Sequence, residues 1–192
     1  DPECTLLELH KLLYFLQEAG EPLKLDYEKG RYGPYAKNLH HVLNRIEGHF
    51  IDGFADGGEA PGKVLTLRRG IRARAKAFLE GHAETLERLH RVTALVEGFE
   101  SPRWMELLAT VHWVIVHEGA RTFDAVIRAV YGWNIRKRLF TKRQIGIALQ
   151  MLQKRGWLPV TFHVETLPEP SVGAVRRDES YALRLAEPSV EA

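Results

Sequence analysis

A single cysteine, Cys4, is all the thiol this 192-residue chain carries. No intramolecular disulfide is available, which excludes a secreted, disulfide-stapled scaffold and makes a reducing, cytoplasmic setting the expectation. Long apolar runs are missing as well: the longest, Leu12 to Leu16, falls far short of the roughly 20 residues that cross a bilayer. No basic stretch followed by an apolar core opens the chain, so neither a signal peptide nor a membrane partner is expected. An excess of one charge is absent too. Lys and Arg number 27 against 25 Asp and Glu, a net charge of +2, which gives no global electrostatic case for nucleic acid. The first residue is not methionine, and this is read as a domain cut from a longer protein.

What is present is ordinary globular composition, 45% hydrophobic and 27% charged, enough for one domain over residues 1–192 with approximate lobes at 1–100 and 101–192. The periodicity is mainly helical. Leu6, Leu9, Leu13 and Leu16, widened by Leu12 and Phe15, recur at three-to-four spacing, so residues 5 to 18 form an amphipathic helix ended by Gly20 and Pro22. Leu23 to Glu28 is expected to be extended. A second helix is expected to open at Tyr32-Gly33-Pro34-Tyr35, with Pro34 in its first turn and Tyr35, Leu39, Val42, Leu43 and Ile46 on one buried face. Asp52 to Gly62 reads as a loop, and Lys63 to Leu67 as a short strand paired with Leu23 to Tyr27.

From Arg72 the helical pattern returns, with Ala75, Phe78 and Leu79 in one segment and Leu86, Leu89, Val92, Thr93 and Val96 in the next, ending at Gly98. Ser101-Pro102 is an N-cap with proline at the first helical position. It starts a helix that buries Trp104, Leu107, Leu108, Val111 and Ile115 and is stopped by Gly119. Thr122 caps a helix carrying Val126, Ile127 and Val130; Thr141 caps another carrying Ile145, Ala148, Leu149 and Leu152. These last two form a helix-turn-helix pattern. Val160, Phe162 and Val164, then Tyr181 to Leu185, suggest a terminal hairpin or wing. The fold class is mainly α, two packed helical lobes with a few short strands and a winged-helix-like C-terminal part.

No motif for chemistry stands out. His112 and His117 are five apart, roughly 140° around a helix; His40 and His41 are adjacent, and no HExxH or paired-cysteine spacing accompanies any histidine. No metal site is therefore expected. Cys4 lies too near the chain start for a preorganised nucleophile. Gly53, Gly57 and Gly58 occur in an acidic stretch without a following Lys-Ser/Thr, so no phosphate loop and no cofactor are expected.

The ordered blocks Lys11-Leu-Leu-Tyr-Phe-Leu-Gln17, Gly20 to Leu25, Tyr32 to Leu43 and Glu47 to Gly57 resemble the C-terminal toxin-binding domain of DarG antitoxins over residues 5 to about 160. The Leu-Tyr-Phe helix followed by Tyr-Gly-Pro is also similar to the broader Panacea group. The resemblance implies a partner, a DarT-type toxin that transfers ADP-ribose from NAD to bases of single-stranded DNA, and an upstream macrodomain; macrodomain-type glycine-rich segments are absent from this chain. It further implies a non-enzymatic antitoxin that neutralises the toxin sterically by occupying its DNA-binding surface.

On that reading Tyr32, flanked by Lys29 and Arg31, is an interface anchor of the aromatic-plus-arginine kind, while Tyr35 is core. Asp52, Asp56 and Glu59 stand where DNA phosphates would. The alternative is a winged-helix nucleic-acid-binding or operon-regulating module. Its phosphate contacts would be Arg136, Lys137, Arg138, Lys142, Arg143 and Gln144. A second basic run, Arg68 to Lys76, is the weaker nucleic-acid feature.

Overall fold

The computed structural model describes residues 3–159 and 162. Its elements run β1 (Glu3–Thr5), α1 (Leu6–Glu18), β2 (Tyr27–Gly30), β3 (Gly33–Ala36), α2 (Leu39–Ile46), β4 (Ile51–Asp52), β5 (Val64–Leu67), α3 (Ile71–Glu80), α4 (Ala83–Val96), α5 (Pro102–Val116), α6 (Phe123–Trp133), a 3-10 turn (Ile135–Leu139) and α7 (Lys142–Lys154). The chain is mainly helical with a few short antiparallel strands.

Four helix starts rest on side-chain caps. Thr5, Ser101, Thr122 and Thr141 each accept a hydrogen bond from a first-turn N–H, satisfying one of the donors a helix leaves orphaned. Glu8 and Gln144 answer Thr5 and Thr141 by accepting from the cap backbone, which completes two capping boxes. Helix α5 is the axis of the larger hydrophobic cluster. Its Trp104, Leu107, Leu108, Val111 and Ile115 are buried as the periodicity requires, against Val92 and Leu95 of α4, Val126, Ile127 and Val130 of α6, and Ile145, Ala148, Leu149 and Leu152 of α7. A smaller cluster gathers Leu6, Leu25, Leu39, Leu43, Ile51, Phe54 and Leu65. Helix α1 belongs to both, giving Tyr14 and Phe15 to the first and Leu6 to the second.

The first half departs from the sequence reading in three places. Gly33–Ala36 is a strand, not the start of a helix: it pairs antiparallel with Tyr27–Gly30 in the register Gly30↔Gly33 and Lys29↔Pro34, leaving Arg31-Tyr32 as the two-residue turn. Pro34 fits there because a two-stranded hairpin has open edges where no N–H is needed, and Gly33 takes the positive φ (+95°) that the turn imposes. Helix α2 starts only at Leu39, so Tyr35 lies on the hairpin, half-buried, and Val42 is exposed. Strand β5 pairs with β1 and β4, not with Leu23 to Tyr27, whose partner is its own hairpin. Helix α3 buries only Ile71, and Phe78 is 62% exposed, because among the described residues α3 packs mainly on α4 and little covers its other side. Of the terminal wing, Phe162 is described and buried, whereas Val160, Val164 and Tyr181 to Leu185 lie outside the described residues.

Candidate functional site

Beneath the β2–β3 hairpin lies a buried charged cluster. From α1, Lys11 reaches up and its Nζ donates to the carbonyl of Pro34 at 2.6 Å. From the 3-10 turn, Lys137 donates to Glu106 Oε1 at 2.5 Å and to the Thr110 hydroxyl at 3.0 Å, both on α5. All four side chains are buried. Gly33 seals the arrangement: a Cβ there would stand 2.9 Å from the Thr110 hydroxyl oxygen, so only glycine lets the hairpin seat on α5. Two lysines share one carboxylate away from water, and burial, reinforced by the neighbouring Lys137, lowers the Lys11 amine to about 7. Burial lowers Lys137 as well, opposed by Glu106. Oε2 of Glu106 has no hydrogen-bond partner.

Above this cluster opens a cavity of about 940 Å³, framed by the first turns of α1, the hairpin and the loop from Asp56 to Lys63. The loop is fixed to the helix by backbone bonds, since the N–H groups of Leu6 and Leu7 donate to the carbonyls of Lys63 and Pro61. Tyr35 stacks on His10 with ring centroids 4.4 Å apart. Burial, with Lys11 beside it, lowers His10 to about 3, so its imidazole is neutral at ordinary pH. Burial and a hydrogen bond to Glu59 raise the Tyr35 hydroxyl.

The aromatic anchor of the sequence reading sits at this opening. The guanidinium carbons of Arg31 and Arg136 lie 5.6 and 4.6 Å from the centre of the Tyr32 ring, and Asn134 ties the turn down by donating to the Arg31 carbonyl. Lys29 is directed elsewhere, onto Glu118 at 2.7 Å and over the Trp133 ring. Two of the three acidic candidates are in ion pairs, Asp52 with Arg68 and Asp56 with Lys63, and Glu59 lies 3.4 Å from Nδ1 of His40. Asp56 and Glu59 line the cavity and Asp52 does not. Of the basic candidates, Arg138, Lys142 and Arg143 are exposed and Gln144 closes the α7 capping box. Lys137, assigned above to phosphate, is corrected: fully buried and bonded to Glu106, it does not reach the surface.

The residues that organise this site, His10, Lys11, Glu106 and Thr110, were not singled out from sequence. Lys11 sits between His10 and Leu12, where lysine ordinarily reads as solvated. A usable signal does exist on α5, where Glu106 and Thr110 are the i, i+4 polar pair in an otherwise apolar stretch. His112 and Tyr14 form a separate buried pair, hydroxyl to Nδ1 at 2.7 Å, and His117 meets Glu18. Cys4 lies in β1, and burial, with Glu8 nearby, pushes its thiol up to about 12. Among the described residues no helix is long and apolar enough to cross a membrane, and no group of three or more His, Cys, Asp or Glu is placed to hold a metal ion.

Comparison with known proteins bears on the function. A DNA ADP-ribosyl glycohydrolase of Thermus aquaticus is 45% identical over 152 residues, 79% of this chain and 42% of that protein. Proteins of the same name from Mycobacterium bovis and Mycobacterium tuberculosis are each 36% identical over 155 residues, 76% of this chain and 43% of theirs. No family model matches. The chain thus spans less than half the length of the curated relatives it matches. Their shared name supports an ADP-ribose-related family, and it corrects two expectations. The reading as a non-enzyme and the reading as a steric antitoxin are both overturned, because the relatives are named for an enzymatic activity. The winged-helix alternative gains no better support.

Proposed function

We propose that this chain is one part of a DNA ADP-ribosyl glycohydrolase, the activity belonging to the whole protein, and that its contribution is to engage the DNA strand at the Tyr32 edge. The identity to relatives of that name supports the first half. The observation that carries the second is the juxtaposition of Arg31, Tyr32 and Arg136 at the mouth of a cavity. An aromatic ring backed by guanidinium groups suits unpaired nucleic acid, since it offers a stacking surface beside charges that meet phosphate. Duplex DNA, with its bases already stacked, gains little from such an edge.

The finer placement belongs to the same proposal: the C-terminal segment of a DarG-type protein, in contact with its DarT-type transferase. Such contact would bring the enzyme that removes ADP-ribose to the strand that the transferase has modified. The test uses the full-length protein on an ADP-ribosylated single-stranded oligonucleotide. Tyr32→Ala and Arg136→Ala are expected to raise KM about tenfold or more with kcat nearly unchanged, in line with the ~1–3 kcal/mol typical of one base stack. Unchanged KM in both variants would overturn the assignment of this edge.

A further inference from the structure

Helix α3 carries its charge against its own stability. Its N-cap is Gly70, which has no side chain to accept from the first-turn N–H groups, whereas α1, α5, α6 and α7 are capped by Thr or Ser. Arg72 and Arg74 lie near its N-terminus, where the positive end of the helix dipole repels them, and Arg68 and Arg69 come just before it. Only Ile71 of its ten residues is buried. Among the described residues Arg69, Arg72 and Lys76 are in no ion pair. Capping, packing and pairing therefore leave these cations without a structural role.

From residue 68 to 80 five side chains are cationic and one, Glu80, is acidic. Asp52 of β4 is met by Arg68 and Glu84 of α4 by Arg88, so Glu80 and Glu87 are the acids left on α3 and α4. Neither lines the open groove of about 590 Å³ between α3 and Phe50, whose walls are Phe50, Ile71, Arg74, Ala75, Phe78 and Leu79. Phe50 and Phe78 are 42% and 62% exposed. The Arg74 guanidinium carbon is 5.5 Å from the centre of the Phe50 ring. His82 stacks on Phe78 with centroids 3.9 Å apart and 19° between the planes, its Nδ1 2.7 Å from the Phe78 carbonyl oxygen. Flat groups thus wall the groove, and Arg72 and Lys76, one turn apart, share the helix flank next to Leu79.

We infer that the α3 face binds single-stranded nucleic acid, with an unpaired base in the groove against Phe50 and Phe78 and the flanking phosphates at Arg69, Arg72 and Lys76. A nucleotide brings a flat ring and a negative charge in one unit, which is what this face offers to meet. A carboxylate-rich protein segment would answer the cations and bring nothing flat to the rings, and duplex DNA keeps its bases stacked on each other. The groove shares no residue with the Tyr32 edge, and neither contact requires the other.

The test is binding of the chain to a mixed-sequence single-stranded oligonucleotide, by fluorescence anisotropy over a series of salt concentrations. Phe78→Ala is expected to weaken binding about tenfold with the salt slope unchanged, as loss of one base stack does, and Phe78→Trp to restore it. Arg72→Ala with Lys76→Ala is expected to lower the slope of log K against log salt by about 1.4, at ~0.7 per phosphate contact on a single strand. All three side chains are exposed, so an unchanged melting temperature is expected and separates these losses from unfolding. Unaltered affinity and slope in both variants would overturn the inference, and the Tyr32 edge would stand if Tyr32→Ala alone weakened binding. Losses at α3 with none for Tyr32→Ala would uphold the groove and remove the Tyr32 edge from strand binding. No binding by the unaltered chain would overturn both. Equal affinity for a duplex of the same length, or equal competition by polyglutamate, would make the face a general polyanion surface and overturn the inference.

Discussion

Helices α5 and α3 carry the same kind of pattern in sequence, yet α5 buries eleven of its fifteen residues and α3 buries only Ile71 of ten. The difference lies in their surroundings. Helix α5 is met by α1, α6, α7 and strand β3 on successive sides, so even Glu106, Thr110 and His112 are drawn inside and must find partners. Helix α3 packs chiefly on α4, with Arg74 over the Phe50 ring, and its arginines and Phe78 are exposed. An apolar stripe therefore reports that a helix forms; how much of it is buried depends on how many elements arrive to cover it.

That contrast can be broken most strongly at the one charge α5 keeps inside. Lys137→Met should cost about 4 kcal/mol in urea unfolding, because it leaves the Glu106 carboxylate buried and unpaired; adding Glu106→Leu to that variant should recover most of the loss. Next comes the apolar centre of α5, where Leu108→Ala should cost about 3 kcal/mol, the cavity having no neighbour able to collapse into it. Ser101→Ala removes the hydrogen bond from Trp104 N–H and should cost about 1 kcal/mol, seen as a lowered melting temperature. The smallest effect is expected on α3: Phe78→Ala should change the unfolding free energy by less than about 0.5 kcal/mol. A loss as large as that of Leu108→Ala would mean that the exposed face of α3 is covered in solution.

The same contrast explains what was legible in the sequence. The caps at Ser101, Thr122 and Thr141 follow from local spacing, as do the apolar positions named on α5, α6 and α7, all of which are buried; Glu106, Thr110 and His112, buried on the same α5, do not. The hairpin was misread because Tyr-Gly-Pro-Tyr satisfies a helix start as well as a turn. The usable signal is Gly33, the positive-φ residue that directly follows the Arg31-Tyr32 turn and lets the chain return as a strand. At the site, Arg31 and Tyr32 were named from chemistry alone and do stand at the cavity. Lys11, Lys137 and Glu106 could not be assembled that way, since they come from α1, the 3-10 turn and α5 and meet only through the fold. The contacts that occupy Asp52, Asp56 and Glu59 are hidden for the same reason. Function was the least legible: the antitoxin reading came from resemblance, and the enzymatic name of the relatives overturned it.

Helix α1 is shared by both hydrophobic clusters, and this sets a timetable for the chain as it is made. The hydrogen bond that joins α1 to α5 spans 98 residues between Tyr14 and His112. At roughly 5–20 residues per second, α1 waits about 5–20 s after emerging before its partner exists. During that interval its apolar stripe has first the small cluster with β5 and α2, and then α4, to shelter it. The N-terminal third thus acts as a holding site for a helix whose final neighbours arrive late, and a destabilised small cluster would be felt first as poor yield on synthesis rather than as a lower melting temperature.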